Sequence, residues 1–182
     1  MRIVKLKLNR RQFGYLVLYV VLIAIAVVFI HEAAHILTAV ISGVPLGELK
    51  LGFLGINPSV TLPQWVDENT RTVIFYAGGL TTGAVFLLGY LLYWVQRYRR
   101  EPSLLNWAMG LTTIMLAAEQ FAAGYLEGRY HGAYIMSATT LFSPTDILTY
   151  GWMIAAVFFH FSLCPRKMMK DNGSQLNNLS DN

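Results

Sequence analysis

Charge is what this sequence has least of. Only 13% of its 182 residues are Asp, Glu, Lys or Arg, and 55% are hydrophobic. Water-soluble domains average about 25% charged residues. The deficit argues against an ordinary soluble domain and points to a membrane protein. Cysteine is almost missing too. Cys164 stands alone, which excludes an intrachain disulfide and any Cys-based zinc site. The few charges are also segregated. Basic residues gather at Arg2, Lys5, Lys7, Arg10 and Arg11, at Arg97, Arg99 and Arg100, and at Arg166, Lys167 and Lys170. That is the pattern of juxtamembrane loops, not of a nucleic-acid-binding face, so no nucleic-acid partner is expected.

What is present is long apolar runs. Crossing about 30 Å of hydrocarbon takes about 20 helical residues at 1.5 Å each. Four stretches meet that need, at about 13–41, 72–95, 104–125 and 147–163. The expected fold is an all-α integral membrane protein of about four transmembrane helices. The first run is too long for the core of a signal peptide and is read as retained. Ser42, Gly43 and Pro45 supply its stop signals. Ser143-Pro144-Thr145-Asp146 suits a helix start, and Pro165 closes the last span. Residues 1–12 form a basic N-terminus, 13–164 the membrane domain, and 165–182 a polar tail expected to be disordered.

Between the first two spans, residues 46–63 behave differently. Their glycines and Pro58 oppose helix. Glu48, Lys50 and Gly52 alternate with Leu49, Leu51 and Phe53, a strand pattern. A short membrane-associated β-hairpin is expected, packed on protein or lining a wet cavity because open strand edges cannot face lipid. The three basic clusters agree on a cytoplasmic N-terminus and C-terminus in a multi-pass protein, most simply of a cell membrane. Tyr15, Tyr19, Tyr90, Tyr93, Trp94, Trp107 and Trp152 fall near span ends and read as interfacial anchors.

The strongest chemical signal is His31-Glu32-Ala33-Ala34-His35. Residues i and i+4 of a helix share a face. Two imidazoles one turn apart can hold one Zn²⁺ at about 2.0–2.1 Å. Glu32 beside them suits a general base toward the attacking water. Three ionisable residues inside an apolar run are costly, about 2.5–3.5 kcal/mol for a mid-membrane charge, and such residues are functional by default. A catalytic zinc usually takes three protein ligands plus water. Glu119, Glu127, His131 and Asp146 are candidates for the third, and His160 reads as structural on the far side. Spacing alone does not choose among them. Gly79 and Gly83, like Gly78 and Thr82, have the small-xxx-small spacing of closely packed helices.

Three motifs, in order, resemble the site-2 protease family of intramembrane zinc proteases. They are His31-Glu32-Ala33-Ala34-His35, then Ala77-Gly78-Gly79 in place of the family's Ala-Gly-Pro, then Leu126-Glu127-Gly128 in place of its Leu-Asp-Gly. The resemblance covers about residues 16–134. It implies Glu127 as the third zinc ligand, in the position of the family's Asp. The family's Asn eight residues earlier is Glu119 here. The strand segment at 46–63 also fits the family, which holds unwound substrate against such a strand. The family's sites open toward the cytosol, whereas the charge bias here puts the histidines toward the outer side.

The expected function is therefore a zinc metalloendopeptidase that cleaves membrane-embedded or interfacial proteins or peptides, with Glu32 catalytic and Zn²⁺ on His31, His35 and Glu127. A subunit of a zinc or divalent-metal transporter is one alternative, since intramembrane His and Glu also line ion paths. A proteolytically inactive metal-binding membrane protein is the other.

Overall fold

A computed structural model describes residues 8–54, 57–130 and 144–165. Helix α1 runs Arg10–Ile41. It starts three residues before the expected span because Asn9 caps it: its side chain accepts from the Gln12 N–H, and the Gln12 side chain returns a bond to the Asn9 N–H. This reciprocal pair satisfies two otherwise orphaned donors. The helix stops as its sequence predicts. Gly43 turns left-handed at φ 91°, and the N–H groups of Gly43 and Val44 bond back to Val40 and Ala39. Buried Val44 then packs with Ala39, the apolar contact that accompanies this termination.

A 3₁₀ turn at Leu46–Glu48 leads into strands β1, Lys50–Leu54, and β2, Asn57–Thr61. They form the expected hairpin, antiparallel, with Lys50 opposite Thr61 and Gly52 opposite Ser59. Leu49 and Leu62 tuck beneath it with Ala39, Val44, Val66 and Ile74. This small core seats the hairpin on α1 and the next helix. Strand β2 rests against α1, while Lys50, Leu51 and Gly52 of β1 are exposed.

Helix α2, Glu68–Gly89, starts at Asp67, whose carboxylate accepts from the Asn69 and Thr70 N–H groups. It continues through a π-helical turn at Tyr90–Trp94 into α3, Val95–Arg100. Helix α4 is Leu104–Tyr130 and α5 is Pro144–Leu163. Three helices, Arg10–Ile41, Glu68–Arg100 and Asp146–Leu163, are long and apolar enough to cross a membrane. Helix α4 is long as well, but it carries Asn106, Thr112, Thr113, Glu119, Gln120 and Glu127. It can afford them because it packs against α1, α2 and α5 at once. Helix α1, by contrast, exposes Leu18, Leu22, Ile25, Phe29 and Leu37 along its outer face. A continuous exposed apolar face of that length suits a membrane or a protein partner.

Two of the expected interfacial anchors are core residues instead. Tyr90 is fully buried and Trp107 nearly so, within a cluster that includes Val95, Tyr98, Ile114 and Cys164. Their aromatic surface is worth more packed between helices than at a boundary. Tyr15, Tyr93 and Trp152 are exposed.

Candidate metal centre

The expected motif lies on α1, six residues before the helix ends, so His31 and His35 project from one face near the hairpin. Both are buried. Their ring centroids stand 4.8 Å apart. Helix α4 extends five residues beyond its expected end, and this extension matters. It puts Glu127 on a helix turn, not in a loop, and aims its carboxylate at the imidazoles. Glu127 Oε2 lies 3.0 Å from His31 Nε2 and 3.5 Å from His35 Nε2. His31, His35 and Glu127 form a group able to hold a metal ion, with ligand atoms within 4.8 Å of one another.

Ligand atoms about 2.0–2.1 Å from one tetrahedral ion stand roughly 3.3 Å apart. The two measured separations bracket this value. The outer ring nitrogens also fit. His35 Nδ1 donates to the Ile74 carbonyl at 2.7 Å. His31 Nδ1 meets Gln120 Oε1 at 2.7 Å, and an amide oxygen can only accept. Each Nδ1 therefore carries a proton, which leaves Nε2 as the nitrogen that can give its lone pair to a metal ion. A positive charge belongs between each Nε2 and the Glu127 carboxylate, supplied by a proton on Nε2 or by a bound metal ion. Glu32 adds a buried oxygen, Oε2, without a hydrogen-bond partner among the described residues, close enough to feel the charges of both imidazoles and Glu127. An unpaired buried oxygen is costly, and this one belongs to the residue between His31 and the rest of the motif.

The glycines of α2 make the arrangement possible. A Cβ on Gly78 would fall on His35 Nε2 and lie 2.7 Å from His31 Nε2. Gly78 is also one turn after Ile74, so its missing side chain leaves the Ile74 carbonyl open to His35. A Cβ on Gly79 would strike the backbone of Gly124 and the Gln120 carbonyl, and one on Gly128 would strike the Tyr76 ring. The backbones of α2 and α4 thus nearly touch, which carries Glu127 to the histidines. The expected small-residue packing occurs at Gly79, and Gly78 has a second task at the site itself.

The remaining candidates separate. Glu119 is not in the ligand group. It accepts from Gln120 Nε2 at 2.6 Å. Asp146 sits in the first turn of α5, also outside the ligand group. His131 lies outside the described residues. His160 is fully buried at the other end of the molecule, bonded to the Tyr90 hydroxyl at 2.9 Å and stacked edge-on with Trp107. Sequence reasoning missed Gln120. The signal was available: Gln120 stands seven residues before Glu127, two helical turns, so the two share a face.

Compared with protein-family models, with curated proteins and with solved structures, the chain matches none.

Proposed function

We propose that the protein is an intramembrane zinc peptidase, with His31, His35 and Glu127 as ligands and Glu32 as the acid–base residue. One observation carries this reading: the ligand atoms of His31, His35 and Glu127 converge within 4.8 Å of one another, with Glu32 Oε2 buried and unpaired on the same motif. Three motifs in order add the resemblance to site-2 proteases. Two neutral imidazoles and a carboxylate suit zinc, which favours this mixed nitrogen and oxygen set and leaves a fourth position open. When bound, zinc would polarise the scissile carbonyl and acidify a water molecule near neutral pH.

The chain's own residues do the rest. Glu32 Oε2 takes the proton of the attacking water and returns it to the leaving amine. Gln120 and the Ile74 carbonyl hold the two rings in place. The apolar faces of α1, α2 and α5, long enough to cross a membrane, support a site within a bilayer. A helical substrate must unwind before its peptide bonds are open to attack, and the β1–β2 hairpin beside the site offers an edge to receive the extended form.

The test begins with zinc content in detergent-purified chain. About one zinc per chain is expected, lost in His35→Ala and in Glu127→Ala. No zinc after resupply overturns the metal centre. Cleavage is then read by mass spectrometry on single-span peptides reconstituted with the protein in vesicles. Glu32→Gln should keep its zinc and lose about 10²–10⁴-fold in rate. Equal cleavage by Glu32→Gln, or none by the zinc-loaded wild type, overturns the peptidase. Zinc flux across the vesicles would then favour transport.

A further inference from the structure

The metal centre leaves Glu119 and Gln120 without chemistry of their own, although both sit in the middle of α4. Gln120 is 6% exposed and bridges two groups. Its Oε1 accepts from His31 Nδ1 at 2.7 Å, and its Nε2 donates to Glu119 Oε2 at 2.6 Å. The order of these bonds is dictated by donor and acceptor chemistry. A carboxylate only accepts, so Glu119 can engage Gln120 only through the amide NH₂. That turns the amide oxygen toward His31. The oxygen also only accepts, so a proton of His31 is held at Nδ1, which leaves Nε2 as the nitrogen able to offer its lone pair to a metal ion. Each bond in the chain runs one way, and the carboxylate sets the direction.

We infer that Glu119 and Gln120 form a positioning relay, a carboxylate–amide–imidazole chain that fixes the metal-binding tautomer of His31. The inference rests on reading His31, His35 and Glu127 as metal ligands. The two histidines differ in this respect. His35 is oriented by a main-chain carbonyl, which no substitution of a neighbouring side chain removes. His31 is oriented by a side chain, and that side chain by another. Ligating histidines commonly donate their second N–H to a carboxylate or carbonyl, and losing that partner costs about 10–100-fold in metal affinity. The relay extends this arrangement by one amide and lets Glu119 act on the site without touching the ions it holds. Chains of hydrogen bonds in a low-dielectric interior polarise one another, so the Glu119 carboxylate also makes the Gln120 oxygen a stronger acceptor for His31.

The experiment uses the full chain in detergent and measures Zn²⁺ affinity by chelator competition and the Co²⁺ absorption spectrum. The variants are Glu119→Ala, Gln120→Ala, both together, and the exchange Glu119→Gln/Gln120→Glu. Gln120→Ala should weaken Zn²⁺ binding about 10–100-fold, and Glu119→Ala by a smaller factor. Added to Gln120→Ala, Glu119→Ala should do nothing more, because its only route to the metal is gone. The exchange puts a carboxylate directly on the His31 N–H, and should bind Zn²⁺ within about threefold of wild type with an unchanged Co²⁺ spectrum. It is nearly isosteric, so it carries the test if the alanine variants fail to fold. Independent, multiplying effects of the two alanine variants overturn the relay, as does an exchange variant as weak as Gln120→Ala. A wild type that binds no metal, or a His35→Ala variant that binds it normally, overturns the metal centre instead, which keeps the two failures apart.

Discussion

The two ends of the molecule each bury histidine, and they do so in opposite ways. At the hairpin end, His31 and His35 have their Nδ1 atoms bonded to acceptors and their Nε2 atoms turned toward a carboxylate. At the other end, His160 bonds the Tyr90 hydroxyl through Nδ1, and its buried Nε2 has no hydrogen-bond partner among the described residues. Its ring neighbours are Trp107 and Tyr90. The Trp107 indole donates to the Cys164 carbonyl at 3.1 Å, and the Tyr98 hydroxyl to the Pro165 carbonyl at 2.8 Å. These bonds tie the end of α5 to α3 and α4. Burial of a histidine therefore does not mark a metal site. Two ring nitrogens that converge on a carboxylate form a group that could hold a metal ion.

This contrast can be broken at either end. The largest effect is expected at Gly78. In Gly78→Ala the new methyl group displaces the ring tips of His35 and His31, which lie nearest to it. Zn²⁺ affinity should fall by more than about a hundredfold, while thermal unfolding of the metal-free protein moves little, because rings can swing where backbone cannot. Retained affinity would mean that the two Nε2 atoms are not ligands. Next comes His160→Ala, which removes a fully buried ring and leaves the Tyr90 hydroxyl without its partner. It should destabilise the fold by about 2 kcal/mol or more and leave Zn²⁺ affinity within about twofold, since Gly110, the α4 residue beside the His160 ring, lies about 25 Å along that helix from Glu127 at 1.5 Å per residue. Zinc lost in that variant would join two ends that the fold keeps apart. The smallest change is at Arg97, whose guanidinium meets Glu101 at 2.7 Å on the exposed end of α3. Arg97→Ala should cost about 0.3–0.5 kcal/mol, less at high salt, read from denaturant midpoints.

Much of this arrangement can be read from the chain alone, and what cannot has physical causes. The facing imidazoles follow from helical spacing, the end of α1 from Gly43, and the hairpin from alternation between Glu48 and Phe53. The length of α4 does not. Tyr125-Leu126-Glu127-Gly128-Arg129 looks like a loop entry by composition, but it stays helical because Gly128 fits against the Tyr76 ring and Glu127 finds the histidines. These are tertiary gains that no local window contains. Tyr90 and Trp107 misled for the same reason. Aromatics near span ends suit a boundary and a helix contact equally, and only packing decides. The third-ligand position was legible only through a motif, and Gln120 only through its phase with Glu127.

The site also sets a length scale. His35 lies six residues inside the end of α1, a depth of about 9 Å at 1.5 Å per residue. An extended chain covers about 3.3 Å per residue. Under the proposed function, a polypeptide entering from the hairpin end would have to surrender about three residues of its own helix before its backbone came level with the histidines. The depth would then act as a ruler, selecting substrates by how readily their helix frays before any side chain is read.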